Sequence, residues 1–162
     1  MQTQFRKTVT PAEVRNLVTF DHKVFGRADW FEHEDWQAYE SWWMIIDRKK
    51  VGCCAFQLNV DFQGDIRDDG RNPPRRASLY VVSTGVLPEH RSLGFGKVMK
   101  SWQISYARYH QFSRIVTNTR KSNKVMIGLN RRFGFKVLRT TSGYYEDPRE
   151  PTVVMELSLG SR

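Results

Sequence analysis

The chain has 162 residues, of which 40% are apolar and 27% charged, and its formal net charge is +9. This length suits one domain with a sizeable core, and no apolar run approaches the roughly 18 residues that cross a bilayer. Residues 1–7 are polar and lack the apolar stretch of a signal peptide. We therefore expect a single domain over residues 1–162, without a membrane partner.

The first 25 residues predict a strand followed by a helix. Residues 4–8 favour a short strand. Thr10 is placed to cap the helix, with Pro11 in its first turn and Glu13 three residues after the cap. The apolar face of this helix is expected at Leu17, Phe20, Val24 and Phe25.

The next segment predicts a short helix, a hairpin and a long loop. Residues 30–39 favour a loop and a second helix, and residues 42–46 and 51–60 favour a hairpin that turns at 47–50. Residues 63–76 combine glycines, paired prolines and charge, which predicts a mobile loop near the substrate.

The second half continues the alternation of strands and helices. Strands are expected at 78–86, 115–118, 136–145 and 152–159, and helices at 94–110 and 122–132. We place Val98, Trp102, Tyr106 and Tyr109 together on the apolar side of the first of these helices. The order of elements predicts a mixed α/β domain without internal repeats.

Cysteine usage and charge distribution point to a cytoplasmic protein with an anionic ligand. Cys53 and Cys54 are adjacent, and neighbours in a strand point to opposite faces, so we expect two buried thiols without a disulfide. Residues 1–70 hold 9 Lys+Arg and 12 Asp+Glu, whereas residues 71–162 hold 17 and 5. A basic half attracts phosphates, and acidic residues at 29–40 suit a cationic amine.

The most informative segment is the strand-to-helix turn at residues 86–97, Val-Leu-Pro-Glu-His-Arg-Ser-Leu-Gly-Phe-Gly-Lys. Gly94 and Gly96 lack a Cβ, so a ligand can approach the backbone, and the helix start aims N–H groups at one point. Arg91 and Lys97 add positive charge there. The turn predicts a pyrophosphate site, although two glycines also suit a tight connection with no ligand.

Arg91, Gly94 and Gly96 match the Arg/Gln-x-x-Gly-x-Gly/Ala signature, and in this the chain resembles the GNAT N-acetyltransferase superfamily. Asn123, with Leu129, Gly134 and Phe135 further on, fits the second motif of that family. The end of the chain, with Tyr144-Tyr145 and then Val153-Val154-Met155-Glu156-Leu157, is similar to ribosomal-protein alanine N-acetyltransferases. The first helix and loop resemble that subgroup as well, so the likeness spans nearly the whole chain.

The resemblance implies the GNAT fold, a mixed sheet of about seven strands with about four helices. Acetyl-CoA would lie where two central parallel strands splay apart, and no metal is implied. The positions that the resemblance assigns to the cofactor are Thr84, Gly85, Val86, Arg91, Ser92, Leu93, Gly94, Phe95, Gly96, Lys97 and Asn123. Asn123 also suits a helix N-cap, and both roles stay open.

The expected acid and base of the subgroup are absent. The glutamate that acts as base corresponds to Asn118, and the tyrosine that acts as acid corresponds to Asn130. An amide cannot exchange a proton near neutral pH. The replacement candidates are Tyr144 or Tyr145 as a proton donor to the thiolate and Glu32 as a proton relay, with simple packing as the alternative for the tyrosines.

These observations predict an acetyl-CoA-dependent transferase acting on a primary amine, first of all a protein or peptide N terminus. One alternative acceptor is a small amine such as a polyamine or an aminosugar. A third reading is an RNA- or aminoacyl-tRNA-directed protein, or a CoA-binding member with lost catalysis, and it is not favoured because the aromatic RNA-recognition motif is absent. Exposed sheet edges leave a homodimer open.

Overall fold

A computed structural model of the chain describes residues 1–26, 29, 31–60, 62 and 78–160. Over these residues the predicted alternation of strands and helices is confirmed. The loop predicted at 63–76 and Trp30 lie outside the described residues.

Four helices and seven strands are found in the described residues. The helices are α1 (Pro11–Phe25), α2 (His33–Ala38), α3 (Phe95–Tyr109) and α4 (Lys124–Arg132). The strands are β1 (Thr3–Lys7), β2 (Glu40–Ile46), β3 (Lys49–Leu58), β4 (Ser78–Val86), β5 (Arg114–Arg120), β6 (Lys136–Glu146) and β7 (Arg149–Ser158). β5 is longer than predicted because it runs two residues past Asn118, opposite Thr152 and Val153 of β7.

The strands form a mixed sheet in the order β1-β2-β3-β4-β5-β7-β6. β4 and β5 are parallel, with Ser78–Val81 opposite Arg114–Thr117, whereas the pairs β1–β2, β2–β3, β5–β7 and β6–β7 are antiparallel. Asp47 and Arg48 turn β2 into β3 with φ values of 45° and 69°, as two-residue hairpin turns require. Seven strands in a mixed sheet with four helices confirm the predicted fold class.

The chain divides into two compact units. The first comprises Met1–Phe56 and Val82–Met99, and the second comprises Gln57–Val81 and Lys100–Arg162. Each is described by itself below, and one domain over 1–162 stays a prediction.

The core of the first unit forms where α1 packs on β2 and β3. Thr10 caps α1 as predicted, since its hydroxyl accepts the Glu13 N–H at 3.2 Å. The apolar face of the helix buries Leu17, Phe20 and Val24 in one cluster with Trp36, Trp43, Cys53 and Ala55. Phe20 and Trp43 meet edge to face, with ring centroids 5.1 Å apart.

Two glycines in the first unit let backbone segments approach closely. A Cβ on Gly52 would lie 2.7 Å from the Gly85 carbonyl oxygen, and a Cβ on Gly85 would lie 2.8 Å from Val24 Cγ1. β3, β4 and α1 therefore pack at a separation that only glycine permits at these two positions.

The two cysteines are free and fully buried, as predicted. Burial raises the pKa of the Cys53 thiol well above its ordinary value of 9.0, and the nearby Asp21 and Cys54 add to the shift. The Cys53 thiol is therefore protonated at neutral pH.

The predicted apolar side of α3 is wrong in part. Tyr109 is 84% exposed, and Trp102 and Tyr106 are only half-buried. The buried side of the helix holds Lys100, Gln103, Ile104 and Ala107 instead. The buried Lys100 ammonium lies 5.1 Å from the Phe135 ring centroid, a cation–π contact that favours its charge there.

Candidate functional site

The turn from β4 to α3 has an open, left-handed backbone. Ser92 and Gly94 have φ values of 63° and 85°, and a Cβ on Gly94 would meet nothing within 4 Å. Leu93 is 63% exposed. The N–H groups of Lys97 and Val98 both donate to the Gly94 carbonyl, at 3.0 and 3.2 Å, which starts the helix. Open space above a glycine at a helix start fits an anion such as a pyrophosphate.

Two predicted cofactor residues have structural roles that limit what they offer a ligand. Phe95 is 7% exposed, so only its backbone is available at the turn. The Arg91 guanidinium donates to the carbonyls of Val24 at 2.6 Å and Val86 at 3.2 Å. Val24 lies in the last turn of α1, where a cation is favourable. Arg91 therefore ties the turn to α1 while its charge stays at the turn.

Asn123 caps α4, as one of its two predicted roles required. Its side-chain oxygen accepts the Met126 N–H at 3.0 Å. The residue is exposed, and the cap bond uses only its side-chain oxygen, so the amide nitrogen can still donate to a ligand. The cap does not decide whether Asn123 also contacts the cofactor.

The predicted pantetheine-binding residues Thr84, Gly85 and Val86 are the last three residues of β4. Gly85 is buried, and Thr84 and Val86 are half-buried. An extended ligand can pair with the backbone of a strand through its own amides.

The side-chain amide of Asn118, in the second unit, is hydrogen-bonded to two phenols and one hydroxyl. Tyr80 donates its hydroxyl to Asn118 Oδ1 at 2.5 Å, and the Asn118 amide donates to Thr152 Oγ1 at 3.1 Å and Tyr145 Oη at 3.5 Å. Tyr80 and Thr152 are buried, and Asn118 and Tyr145 are half-buried. The position of the missing glutamate is thus the centre of a neutral hydrogen-bonded cluster, which we call the Asn118 cluster.

Arg120 fixes the end of the β6–β7 hairpin beside this cluster. Its guanidinium donates to the carbonyls of Asp147 and Pro148 at 2.9 and 2.8 Å and pairs with Glu150 at 3.1 Å. It also lies 4.1 Å from the ring centroid of Tyr145. Desolvation acts to raise the pKa of Glu150, but hydrogen bonds from Ser122 and the charge of Arg120 outweigh it and the pKa is lowered.

The other two catalytic candidates differ in setting. Tyr144 is 39% exposed, and its ring contacts Phe62 and Tyr145 with centroids 5.1 and 4.8 Å apart. Glu32 is exposed just before α2, and its N–H donates to Asp35 Oδ2 at 3.0 Å. Tyr144 and Tyr145 are therefore brought together, in the second unit, and Glu32 belongs to the first.

Asn130 is a core residue. It is fully buried on α4, and its amide donates to the Met155 sulfur at 3.8 Å. Because it has no exposed surface, it offers nothing to a substrate. At the position where the subgroup has its tyrosine, this chain therefore has a buried residue of the core.

Sequence reasoning missed two residues, Tyr80 and Asp21. Tyr80 was treated only as part of an apolar strand, although a buried phenol needs a hydrogen-bond partner. Asp21 follows Leu17 by four positions, so it lies on the buried face of α1. Its Oδ2 accepts the Phe31 N–H at 2.7 Å, whereas Oδ1 is buried without a hydrogen bond. Burial raises the pKa of Asp21 from 3.8 to about 7, against the opposing effect of the Phe31 bond.

Comparison with known families decides the identity of this fold. The family model described as "Acetyltransferase (GNAT) family" matches residues 12–135. The chain belongs to the GNAT acetyltransferase family. This assignment confirms the predicted family and the prediction that the chain is an acyltransferase, and the glycine turn lies within the matched residues.

Solved structures show the same fold at low identity. The chain is similar to the ribosomal-protein-S18-alanine N-acetyltransferase of Escherichia coli, with a TM-score of 0.78 at 15% identity over 99% of this chain and 96% of that one. It is similar to Arabidopsis thaliana NAA60 in complex with a bisubstrate analogue, with a TM-score of 0.80 at 16% identity over 98% and 100%. Salmonella typhimurium yncA with acetyl-CoA gives a TM-score of 0.72 at 19% identity over 100% and 96%.

Neither a metal-ligand cluster nor a membrane-spanning helix is found in the described residues. No group of three or more His, Cys, Asp or Glu is arranged there to hold a metal ion. None of the helices in the same residues has the length and apolarity to cross a membrane. The cytoplasmic location and the homodimer stay predictions.

Proposed function

We propose that this GNAT member transfers the acetyl group of acetyl-CoA to the α-amine of a protein or peptide N terminus. The observation that carries acetyl transfer is the open Gly94 turn at the start of α3, inside the family match. Two of the structurally similar proteins, the ribosomal-protein-S18-alanine enzyme and NAA60 with its bisubstrate analogue, support this acceptor class.

The proposed cofactor site uses mainly backbone groups. Acetyl-CoA, when bound, supplies the activated acetyl group. The N–H groups at Ser92 to Gly96 hold its pyrophosphate, the Lys97 ammonium adds charge, and Thr84 to Val86 pair with the amides of the pantetheine arm. Asn123 donates its free amide hydrogens to the same arm.

The Asn118 cluster supports direct transfer without a carboxylate base. The amine nitrogen bonds to the carbonyl carbon, the C–S bond breaks, and the amine proton passes to water. Tyr145 donates a proton to the leaving sulfur, and Tyr80 holds Asn118 in the orientation that directs its amide toward Tyr145. A positioned proton donor contributes typically about 10²–10⁴ in rate.

The absence of a carboxylate at Asn118 favours acceptors of low pKa. An α-amine with a pKa near 7.8 is about 14% neutral at pH 7, whereas a lysine near 10.4 is about 0.04% neutral. This ratio corresponds to about 3.5 kcal/mol, which a neutral amide cannot recover by accepting a proton. The enzyme should therefore select N-terminal amines over lysines.

CoA release with mass detection of the products tests both parts of the proposal. The acceptors are a lysine-free peptide with a free N terminus, its N-blocked counterpart with one lysine, spermidine and an aminoglycoside. We expect acetylation of the free N terminus at least 100-fold faster than of the lysine. Equal rates on the two peptides, or turnover of the small amines alone, would contradict the proposed acceptor.

Matched tyrosine variants test the role of the Asn118 cluster. Tyr145→Phe should lower kcat by about 10- to 100-fold, as loss of a positioned acid does. Tyr109→Phe is the control: it removes the same hydroxyl group from a tyrosine that is 84% exposed on α3, and it should leave kcat unchanged. Tyr144→Phe and Glu32→Gln test the alternative proton donor and the proton relay, and each should lower kcat less than Tyr145→Phe does. An unchanged kcat in Tyr145→Phe would remove the phenol from the mechanism.

A further inference from the structure

The second half of the chain contains a long stretch without acidic residues. Residues 90–145 hold 12 Lys and Arg and no Asp or Glu. Several of these cations have partners within the protein. Arg91 binds two carbonyls, Arg114 and Arg120 approach Glu156 and Glu150 at 3.9 and 3.1 Å, and Lys100 is 1% exposed.

Five further cations of this stretch lie together on α4 and its two flanks. They are exposed, and no described residue forms an ion pair with any of them; they are Lys121, Lys124, Arg131, Arg132 and Lys136. Their charges are therefore presented to the solvent around one short helix, and we call this set the α4 basic face.

Helix geometry gathers the central part of this face into one arc. At 100° per residue, Arg131, Lys124, Arg132 and Val125 fall within about 120° of the α4 circumference. Gly128 lies inside the same arc, and a Cβ there would meet nothing within 4 Å. Lys124 and Arg131 are separated by seven residues, or about 10 Å along the axis. The opposite side of α4 is occupied by the buried Ile127 and Asn130.

The chemistry of the face favours a phosphodiester backbone over a lipid surface. Two of the five side chains are arginines, which pair with phosphate oxygens through two parallel hydrogen bonds. An interfacial helix needs an apolar face to insert among acyl chains, and Val125 is the one exposed apolar side chain of the arc. Lipid binding through this helix would thus lack its apolar contribution.

We propose that the α4 basic face binds the phosphate backbone of a nucleic acid without reading its sequence. This goes beyond the acetyl transfer proposed above and does not depend on it. Binding of this kind neutralises phosphates and releases counterions, so it weakens steeply with salt.

The test uses the full chain saturated with acetyl-CoA and a fluorescein-labelled RNA of 20 nucleotides with mixed sequence. Fluorescence anisotropy is recorded over a series of salt concentrations. Five contacts to a single strand predict a slope of log affinity against log salt of about −3.5, at about 0.7 per contact. The variant Lys124→Gln/Arg131→Gln/Arg132→Gln keeps two of them and should bind at least 10-fold more weakly, with a slope of about −1.4.

A matched control separates this face from net charge. Arg15→Gln/Lys23→Gln/Lys49→Gln removes three exposed cations of the first unit, and its affinity for RNA should stay within twofold of the parent chain. Far-UV circular dichroism confirms that both variants fold. A labelled DNA of the same length should bind through the same face with a similar slope.

Four outcomes would overturn the proposal. These are equal losses of RNA affinity in the two triple variants, an unchanged salt slope, displacement of the RNA by polyglutamate as effectively as by unlabelled RNA, and a proportionate loss of acetyl-CoA affinity in the α4 variant. The third would point to an acidic protein, and the fourth to the phosphates of the cofactor. Acetyltransferase activity plays no part in these readouts.

Discussion

The buried carboxyl of Asp21 should make the stability of the protein fall as the pH rises. Its pKa is raised from 3.8 to about 7 by burial. The folded state therefore holds the proton more tightly than the unfolded state, so stability from this group is present below pH 3.8 and is lost as the pH rises through 7. The loss is nearly complete about one unit above pH 7, where the dependence levels off.

The size of the effect follows from the shift. At about 1.4 kcal/mol per pKa unit, the full cost of ionising Asp21 is about 4 kcal/mol, of which about 2.5 develops between pH 5 and pH 8. Local opening admits water to buried carboxyls and lowers such figures, so we expect a measured loss of about 1–2 kcal/mol.

Asp21→Asn isolates this contribution. The asparagine oxygen can still accept the Phe31 N–H, but the side chain has no charge to bury. In urea unfolding at pH 5, 6, 7 and 8, the free energy of unfolding of the variant should increase relative to that of the parent chain as the pH rises. The difference between the two curves cancels the titration of the four histidines.

Glu34→Gln serves as the control, because it neutralises an exposed carboxyl on α2. Its unfolding free energies should parallel those of the parent chain at every pH. If the Asp21→Asn curve were also parallel to that of the parent, the carboxyl would not be desolvated in the folded state and the reasoning would be refuted.

Four other substitutions test contacts within each of the two units. Gly52→Ala would place its Cβ 2.7 Å from the Gly85 carbonyl oxygen and should cost about 1–3 kcal/mol in urea unfolding, whereas Gly128→Ala, with open space, should stabilise by about 0.5–1. Arg91→Lys keeps the charge but loses the paired carbonyl contacts, so acetyl-CoA affinity measured by calorimetry should fall; unaltered affinity would count against a positioning role. Arg120→Gln should speed hydrogen exchange at residues 145–150 and lower kcat more than it raises KM, and unchanged exchange there would show that the hairpin end needs no clamp.

Local patterns were sufficient to predict most of the fold. The spacing of apolar residues placed the helices, whereas β3 and β4 are marked by nearly continuous apolar runs because both of their faces are largely buried. The Thr10 cap was readable for the same local reason, since its partner lies three residues away.

Positions that depend on tertiary contacts were harder to predict. Tyr109 shares its helical stripe with two aromatic residues, yet the buried side of α3 includes Gln103 and Lys100, two residue types that are usually exposed. The hydrogen bond between Tyr80 and Asn118 joins residues 38 positions apart and has no local signature. The Arg120 contacts depend likewise on the return of the β6–β7 hairpin.

The glycine turn was predicted from its residues, but the use of its arginine was not. Sequence reasoning placed the Arg91 charge at the ligand, whereas the guanidinium is held by the carbonyls of Val24 and Val86. A carbonyl acceptor belongs to no residue type, so a sequence cannot indicate which backbone an arginine will bind.

The complete burial of Cys53 and Cys54 has a practical consequence for work on this protein. These are the chain's two cysteines, and both have no exposed surface. A disulfide reagent added to the native protein should therefore report the thiol of released CoA without a background from the enzyme. Oxidised CoA should likewise form no mixed disulfide with the folded chain, so any slow labelling of a cysteine measures the rate at which the first unit opens.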